Sequence, residues 1–251
     1  MEFSAFLDHL AATARSRSDV VGLAAFGSTA DRARADEWSD HDFAWVTTSG
    51  AEDGYRLSRD WLPDPGRIVL HVVEHHGGVK VVYDDGHLAE FGVTTLDGLG
   101  TWEMNRATAI VDPDGSLQEV LDRGARATRR PVAIADEIGL AMASILVGVG
   151  RVRRGEILSG GASVRGETVA HLLRALGATT PGEFPPLDAL DPHRRVEQVH
   201  PEVAAEIAAA TALPVEDAGR SLLAIAERLA GDDPSAHATA DAVRRRFGWC
   251  D

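Results

Sequence analysis

Cysteine is almost absent from this chain, since Cys250 is the only one in 251 residues. One cysteine cannot form a disulfide within the chain or a cysteine-based zinc site, so its scarcity favours a reducing compartment. No run reaches the roughly 18 apolar residues of a membrane-spanning helix. Residues 1–10 carry acids without the basic start of a signal peptide. We therefore expect a cytoplasmic protein that begins with an amphipathic helix.

Positive charge is also in deficit. Lysine and arginine together number 25 against 39 acids, which leaves a formal net charge of -14 with the histidines neutral. Such a field repels a nucleic-acid backbone and an anionic membrane surface, so we expect neither as a partner, whereas a cationic small molecule would be attracted. The basic residues are nearly all arginine, and Lys80 is the only lysine. We attribute this preference to genome composition bias and not to chemistry.

Length and composition are those of a folded protein. At about 150 residues per domain the length predicts one or two domains, and 44% hydrophobic with 25% charged residues exclude a disordered or fibrous chain. Short apolar runs separated by turn signals predict strands at residues 20–26, 43–48, 68–73, 79–83 and 88–94. Asp84-Asp85-Gly86 predicts a hairpin between the last two runs, and we expect all five in one mixed sheet. Helices are expected over residues 2–16, 54–62 and 116–127.

Helical periodicity dominates after residue 130. It predicts helices over residues 133–154, 164–176, 201–211, 215–230 and 235–247. Clustered glycines and prolines predict interhelical loops at residues 159–166 and 180–192. The fold class is therefore expected to be α+β, with an N-terminal mixed-sheet domain over residues 1–130 and a C-terminal helical bundle over residues 131–251.

Two short motifs carry the chemistry. Gly27-Ser28 directly follows the first apolar run, where a glycine lets the backbone approach an anion and the serine hydroxyl and amide groups can bind phosphate oxygens. Asp40-His41-Asp42 begins the second run, and because strand side chains alternate, both aspartates project to one face and His41 to the other. Two carboxylates so placed can bind magnesium for phosphoryl or nucleotidyl transfer.

A third acid completes the pattern. Glu90 is the one charged residue inside the apolar run at residues 88–94. A charge there is costly unless it is paired, bound to metal or facing a cleft. Glu90 is therefore our candidate for a third metal ligand or for the base that takes a proton from an attacking hydroxyl.

These motifs, in this order, resemble the nucleotidyltransferase superfamily that shares the catalytic core of DNA polymerase β. Within it the sequence is most similar to bacterial antibiotic nucleotidyltransferases that act on lincosamides and aminoglycosides. The stretch Arg153-Arg154-Gly155-Glu156 is similar to a Lys/Arg-Arg-Gly-Glu stretch in their helical second domain. The resemblance spans most of the chain, but only the N-terminal half carries specific motifs.

The resemblance implies a role for each motif residue. Asp40 and Asp42 would bind Mg²⁺, Gly27 and Ser28 would contact the nucleotide phosphates, and Glu90 would be the general base or a third metal ligand. The activity implied is an adenylyltransferase: AMP, or another nucleoside monophosphate, moves from ATP or another nucleoside triphosphate to a hydroxyl of a small molecule, and pyrophosphate is released. The implied acceptor is an aminoglycoside or lincosamide, which would make antibiotic resistance the role of the protein.

The helical domain would bind substrate in such a family. Because residues 131–251 contain no lysine, any phosphate contact there must come from arginine, and we select Arg151 and Arg154. Arg32, four residues after Ser28, is a further candidate for phosphate binding. We expect a monomer or a homodimer.

Each assignment has a plainer alternative. Asp40 and Asp42 also fit a solvated turn, Glu90 an edge-strand charge and Arg32 an exposed helix position. His71, His75 and His76 are expected to be structural or exposed, and Arg244-Arg245-Arg246 a solvated helix face. The activity itself has two alternatives, a protein-modifying adenylyltransferase of the antitoxin type and a catalytically silent nucleotide-binding or interaction module.

Overall fold

Strands lie in the N-terminal half of the chain and the long helices mainly in the C-terminal half, so the protein is of the α+β class. The computed structural model describes residues 3–129, 131–182 and 187–249, and for Arg32 it describes the backbone alone. The chain divides into two compact units, Met1–Arg129 (unit 1) and Arg130–Asp251 (unit 2).

Unit 1 contains one mixed sheet. Its strands are β1 (Val20–Ala25), β2 (His41–Thr47), β3 (Ile68–Val73), β4 (Gly78–Tyr83), β5 (Leu88–Thr94) and β6 (Thr108–Val111). Among the described residues these form a six-stranded sheet in the order β3-β4-β5-β2-β1-β6. Within this described sheet, β2 and β5 are the one pair of parallel strands. All five predicted runs are strands, and the sequence does not predict β6 because four residues are too few for a periodic signal.

The helices of unit 1 pack on this sheet or cap its strands. They are α1 (Phe3–Ser16), α2 (Gly27–Ala30), α3 (Glu52–Arg56), α4 (Leu96–Leu99) and α5 (Ser116–Thr128). The helix expected over residues 54–62 ends early, at Arg56. Trp61 folds back and its Nε1 donates to the carbonyl oxygen of Tyr55 at 2.9 Å, which occupies an acceptor that a longer helix would use.

One face of the sheet holds the main core of unit 1. Helix α1 packs there through an apolar stripe that includes Phe6, Leu7 and Leu10, all fully buried. The strands contribute alternating side chains, as a half-buried sheet requires, among them Phe43, Trp45, Val81, Phe91 and Val93.

His41 belongs to this α1-covered face and is fully buried. Its Nε2 lies 2.9 Å from the carbonyl oxygen of Phe3, and its Nδ1 lies 3.0 Å from Nε2 of His87. Because a carbonyl only accepts, a neutral His41 donates from Nε2 and accepts at Nδ1 from His87. The first residue of β2 is thereby tied to α1 and to the residue before β5.

The opposite face is covered in part by α5 and by the turn after α4. A methyl group on Gly22 would come within 2.7 Å of Leu117 of α5, and one on Gly92 would come within 2.2 Å of the Trp102 ring. Glycine at these two positions lets the helix and the indole approach the sheet closely. This face also carries Asp42, because Asp42 and Ala44 alternate with the core residues Phe43 and Trp45.

Every element of regular secondary structure described in unit 2 is a helix. Its helices are α6 (Ile134–Arg153), α7 (Ile157–Ala162), α8 (Thr168–Ala178), α9 (Val196–Val199), α10 (Pro201–Thr211), α11 (Val215–Ala230) and α12 (Pro234–Phe247). The five predicted helices correspond to α6, α8, α10, α11 and α12. They enclose a separate apolar core in which Ile145, Leu172 and Leu222 are fully buried.

The expected loop at residues 159–166 is wrong, because α7 and the π-helical turn Ser163–Glu167 cover this stretch. The glycines there serve a close helix crossing. A methyl group on Gly160 would lie 2.6 Å from the carbonyl oxygen of Gly148 in α6. Of the loop expected at residues 180–192, residues 183–186 lie outside the described residues and the others form no helix.

No helix within the described ranges is both long enough and apolar enough to cross a bilayer.

We predict that Gly160→Ala lowers the free energy of unfolding by about 1–3 kcal/mol, because the added methyl group forces α6 and α7 apart. The matched control is Gly139→Ala on the exposed side of α6, where a methyl group meets nothing within 4 Å. Alanine is the better helix former, so the control should gain roughly 0.5–1 kcal/mol. Urea unfolding followed by circular dichroism measures both, and equal stability of the two variants would contradict the close crossing.

A second prediction concerns His87, whose pKa burial holds below its ordinary value although the nearby carboxylates Asp85 and Asp40 oppose the shift. Unfolded His87 binds its proton near pH 6.5, whereas folded His87 binds it only at lower pH. Between these values the unfolded chain holds more protons, so the free energy of unfolding falls as the pH is lowered through this window. His87→Gln should lose less stability than the wild type between pH 7.5 and pH 5.5. Identical pH dependence in both proteins would contradict the assignment.

Candidate active site

Two of the predicted acids meet through the register of the parallel strands. Asp42 of β2 stands opposite Glu90 of β5 in the strand ladder. Neighbouring strands lie about 4.8 Å apart, and register partners project to the same face. Because β5 lies between β4 and β2, Glu90 is not an edge-strand charge. A carboxylate pair thus stands inside the sheet, on the face opposite His41.

The Gly-Ser turn lies against the same carboxylate. Gly27 follows β1 with a φ of 54°, a conformation that favours glycine. A methyl group on Gly27 would lie 3.2 Å from Asp42 Oδ2. Ser28 comes next in the short helix α2 and is half-buried. The backbone that is expected to bind phosphate therefore passes directly beside Asp42.

Thr29 fixes this arrangement, and the sequence motifs do not point to it. Its fully buried hydroxyl accepts from the backbone N–H of Asp42 at 2.9 Å and lies 3.4 Å from the carbonyl oxygen of Asp40. The N–H of Phe26 donates to the carbonyl oxygen of Asp42 at 2.9 Å. The Gly-Ser turn and the start of β2 are therefore one hydrogen-bonded unit.

Lys80 is a second residue that the motifs miss. It stands opposite Glu90 in the antiparallel β4–β5 ladder, and its Nζ lies 2.9 Å from Glu90 Oε1. Glu74 Oε1 is 4.0 Å away. The hydrogen bond to Glu90 raises the pKa of Lys80, with smaller contributions from the charges of Glu90, Glu74 and Asp42. Lys80, Glu90 and Asp42 thus form one row across β4, β5 and β2.

Trp102 bounds this row on one side. Its ring lies over Gly92, two residues after Glu90 on the same face of β5. The indole is half-buried and therefore still presents part of its surface to solvent beside the row.

Asp40 lies outside the strand ladder that sets Asp42 opposite Glu90. It is half-buried and precedes the first residue of β2. Its charge acts on His87, whereas that of Asp42 acts on Lys80. Within the described residues no three His, Cys, Asp or Glu side chains are arranged to hold a metal ion.

The donor set nevertheless suits magnesium. Mg²⁺ is usually bound through one or two carboxylates together with substrate phosphates and water, and it needs no cage of three protein ligands. Asp42 supplies a carboxylate, and a methyl group on Gly27 would lie 3.2 Å from its Oδ2.

The arginines predicted to bind phosphate are Arg32, Arg151 and Arg154. Arg151 lies in the last turn of α6 in unit 2, and Arg154 directly follows that helix and pairs with Glu156 at 3.1 Å. Arg153 is structural, since it binds Glu216 and lies 4.9 Å from the centroid of the Phe247 ring. The Arg32 side chain lies outside the described part of the chain.

His75, His76, Arg245 and Arg246 are exposed, whereas His71 and Arg244 are half-buried. His76 Nε2 lies 3.5 Å from Glu74 Oε2, and the rings of His75 and His76 are 5.2 Å apart. Arg244 pairs with Glu227 and Asp241 on the helical unit.

Unit 1 also has a shallow pocket at the other end of β1 and β2. Asp19 precedes β1 and Gly50 follows β2, whereas Gly27 follows β1 and Asp40 precedes β2. The hydroxyl of Tyr55 donates to Asp19 Oδ1 at 2.8 Å in this pocket, and burial with this contact raises the pKa of Tyr55. The pocket is therefore separate from the carboxylate row.

Comparison of the sequence with models of known protein families gives no match, and no curated protein matches it significantly.

Proposed function

We propose that the protein is a magnesium-dependent nucleotidyltransferase that moves AMP from ATP, or another nucleoside monophosphate from its triphosphate, to a hydroxyl of a small molecule. One observation carries the proposal. The carboxylates Asp42 and Glu90 stand in register on adjacent strands, and the positive-φ turn at Gly27 passes beside Asp42. A phosphate site, a metal-binding carboxylate and a base are what this transfer requires.

The Gly27-Ser28 turn binds the triphosphate in this proposal. Backbone amides and the serine hydroxyl donate to phosphate oxygens, as in other anion-binding turns. Magnesium held by Asp42, with Asp40 as a further ligand, would neutralise negative charge on the α-phosphate. Thr29 keeps the turn and Asp42 in a fixed relation, because it bonds to the backbone of β2.

Glu90 acts as the general base. Lys80 already places one positive charge beside its carboxylate. That charge repels a metal dication more strongly than a proton, which favours the base over the ligand role. The acceptor hydroxyl gives its proton to Glu90, and its oxygen forms a bond to the α-phosphorus. The bond from the α-phosphorus to the bridging oxygen breaks, and pyrophosphate leaves with that electron pair.

The acceptor is proposed to be an aminoglycoside or a lincosamide. A formal charge of -14 attracts a polycation at long range. Unit 2 is proposed to bind substrate, with Arg151 and Arg154 as its candidates for phosphate contact.

We predict that Asp42→Asn abolishes pyrophosphate release from ATP and magnesium across a panel of aminoglycosides and lincosamides. Glu90→Gln should lower kcat by about 100-fold or more while the KM for ATP changes little, because a lost base slows the proton transfer and not the binding. A coupled pyrophosphate assay measures both. Asp40→Asn tests the second aspartate in the same way.

The control is Asp97→Asn, which removes an exposed acid of α4 in the same unit and should leave turnover unchanged. Full turnover by Asp42→Asn would contradict the proposal. ATP binding without pyrophosphate release from any acceptor would instead favour a protein substrate or a silent nucleotide-binding module.

We also predict that Gly27→Ala raises the KM for ATP. Its methyl group adds strain at positive φ and reaches the space beside Asp42 Oδ2. Gly50→Ala is the matched control, because its φ is 90° and a methyl group there meets nothing within 4 Å. Both variants carry backbone strain, but only the first should weaken ATP binding. An equal KM in the two would show that the turn does not bind the phosphates.

A further inference from the structure

The one lysine of this chain is at the carboxylate row. Of 25 lysine and arginine residues, all but Lys80 are arginine. Composition bias explains why arginine is used elsewhere, but it does not explain why a lysine stands opposite Glu90. The position therefore points to a requirement that a guanidinium does not meet.

The ion pair between Lys80 and Glu90 uses one oxygen of the carboxylate. Lys80 approaches Glu90 through a single oxygen, with Nζ at 2.9 Å from Oε1. Among the described residues the structure gives Oε2 of Glu90 no hydrogen bond. An ammonium is a compact point charge, whereas a guanidinium presents a planar fork that binds both oxygens of a carboxylate. Arginine at position 80 would therefore engage the oxygen that lysine leaves open.

The surroundings keep Lys80 both charged and reachable. Its side chain is 40% exposed and that of Glu90 is 34% exposed, so solvent has access to the pair. The hydrogen bond to Glu90 raises the pKa of Lys80, with smaller contributions from the charges of Glu90, Glu74 and Asp42, so the side chain is an ammonium at neutral pH. Lys80 is the residue that β4 contributes to the row.

We propose that Lys80 is a positioning residue that holds Glu90 by one oxygen and leaves the other free to accept the proton of the acceptor hydroxyl. This role rests on the proposed function, because it acts through Glu90 and needs no contact with substrate. In the transfer step the proton moves to Oε2 of Glu90 while Lys80 remains an ammonium throughout.

The kinetic test compares Lys80→Met and Lys80→Arg with the wild type in pyrophosphate release from ATP and magnesium, using the same drug panel. A misplaced base slows chemistry, so Lys80→Met should lower kcat by roughly 100-fold and leave the KM for ATP unchanged. Lys80→Arg should fail to restore kcat although it keeps the charge. Wild-type kcat in either variant would overturn the role of Lys80.

Arg67→Met is the matched control. Arg67 precedes β3 and pairs with Asp84 and Asp85 of the β4–β5 turn, and its side chain is 39% exposed, close to the value for Lys80. It should keep wild-type kcat. If its kcat falls as far as that of Lys80→Met, the effect is a general loss of ion pairing and the role of Lys80 is overturned.

A spectroscopic test separates this proposal from the proposed function. Protein grown with lysine carrying ¹³C at Cε gives one side-chain signal, because the chain has one lysine. Glu90→Gln should shift that signal, and Asp97→Asn should not. An unchanged signal in Glu90→Gln would overturn the ion pair whatever the activity. If Glu90→Gln shifts the signal but the wild-type protein never releases pyrophosphate, the ion pair is present and the proposed function is wrong. The positioning role of Lys80 would then be wrong as well.

Discussion

The parallel pairing of β2 with β5 is the constraint on which the candidate site depends. It is the one parallel pair of the described sheet, and it alone sets Asp42 opposite Glu90. A shift of one residue in this register would turn one of the two side chains to the face that α1 covers. Every chemical role considered for the site assumes that both acids stay on the face opposite α1.

Buried contacts on the α1-covered face stabilise this register. His41 lies between the two aspartates in sequence and is fixed by Phe3 and His87 on the α1-covered face. Stacked Phe43 and Phe91 sit one residue further along the same two strands, with ring centroids 4.8 Å apart. The hydroxyl of Thr29 also accepts a hydrogen bond from the backbone N–H of Asp42. The core of unit 1 and the positions of its carboxylates are thus products of the same packing.

Local pattern was enough to predict much of the fold. The Asp84-Asp85-Gly86 turn predicts the β4–β5 hairpin because only a tight turn fits between two apolar runs, and the hairpin is present with Gly86 at a φ of 84°. The five long helices of unit 2 follow from their periodicity. The glycines at 160 and 161 misled the same reasoning, because a glycine that ends a helix and one that lets two helices touch look alike in a single sequence.

The site divides in a similar way. The spacing of Asp40 and Asp42 and the lone charge of Glu90 are local features of the sequence. The sheet sets Asp42 opposite Glu90, whereas Asp40 precedes β2 and lies outside that ladder. Lys80 and Thr29 carry no local signal, because their partners are 10 and 13 residues away and meet them only through strand register and the Gly-Ser turn. Composition marked Lys80 as unusual, but only its place opposite Glu90 gives that fact a chemical meaning.

The most direct measurement follows a label placed in ATP. With the protein, magnesium and an acceptor from the drug panel, ATP labelled at the α-phosphorus should transfer its label to the acceptor. ATP labelled at the γ-phosphorus should release its label in pyrophosphate. Appearance of the γ label in the acceptor would mean that the row of Asp42, Glu90 and Lys80 serves phosphoryl transfer instead, and it would contradict the account.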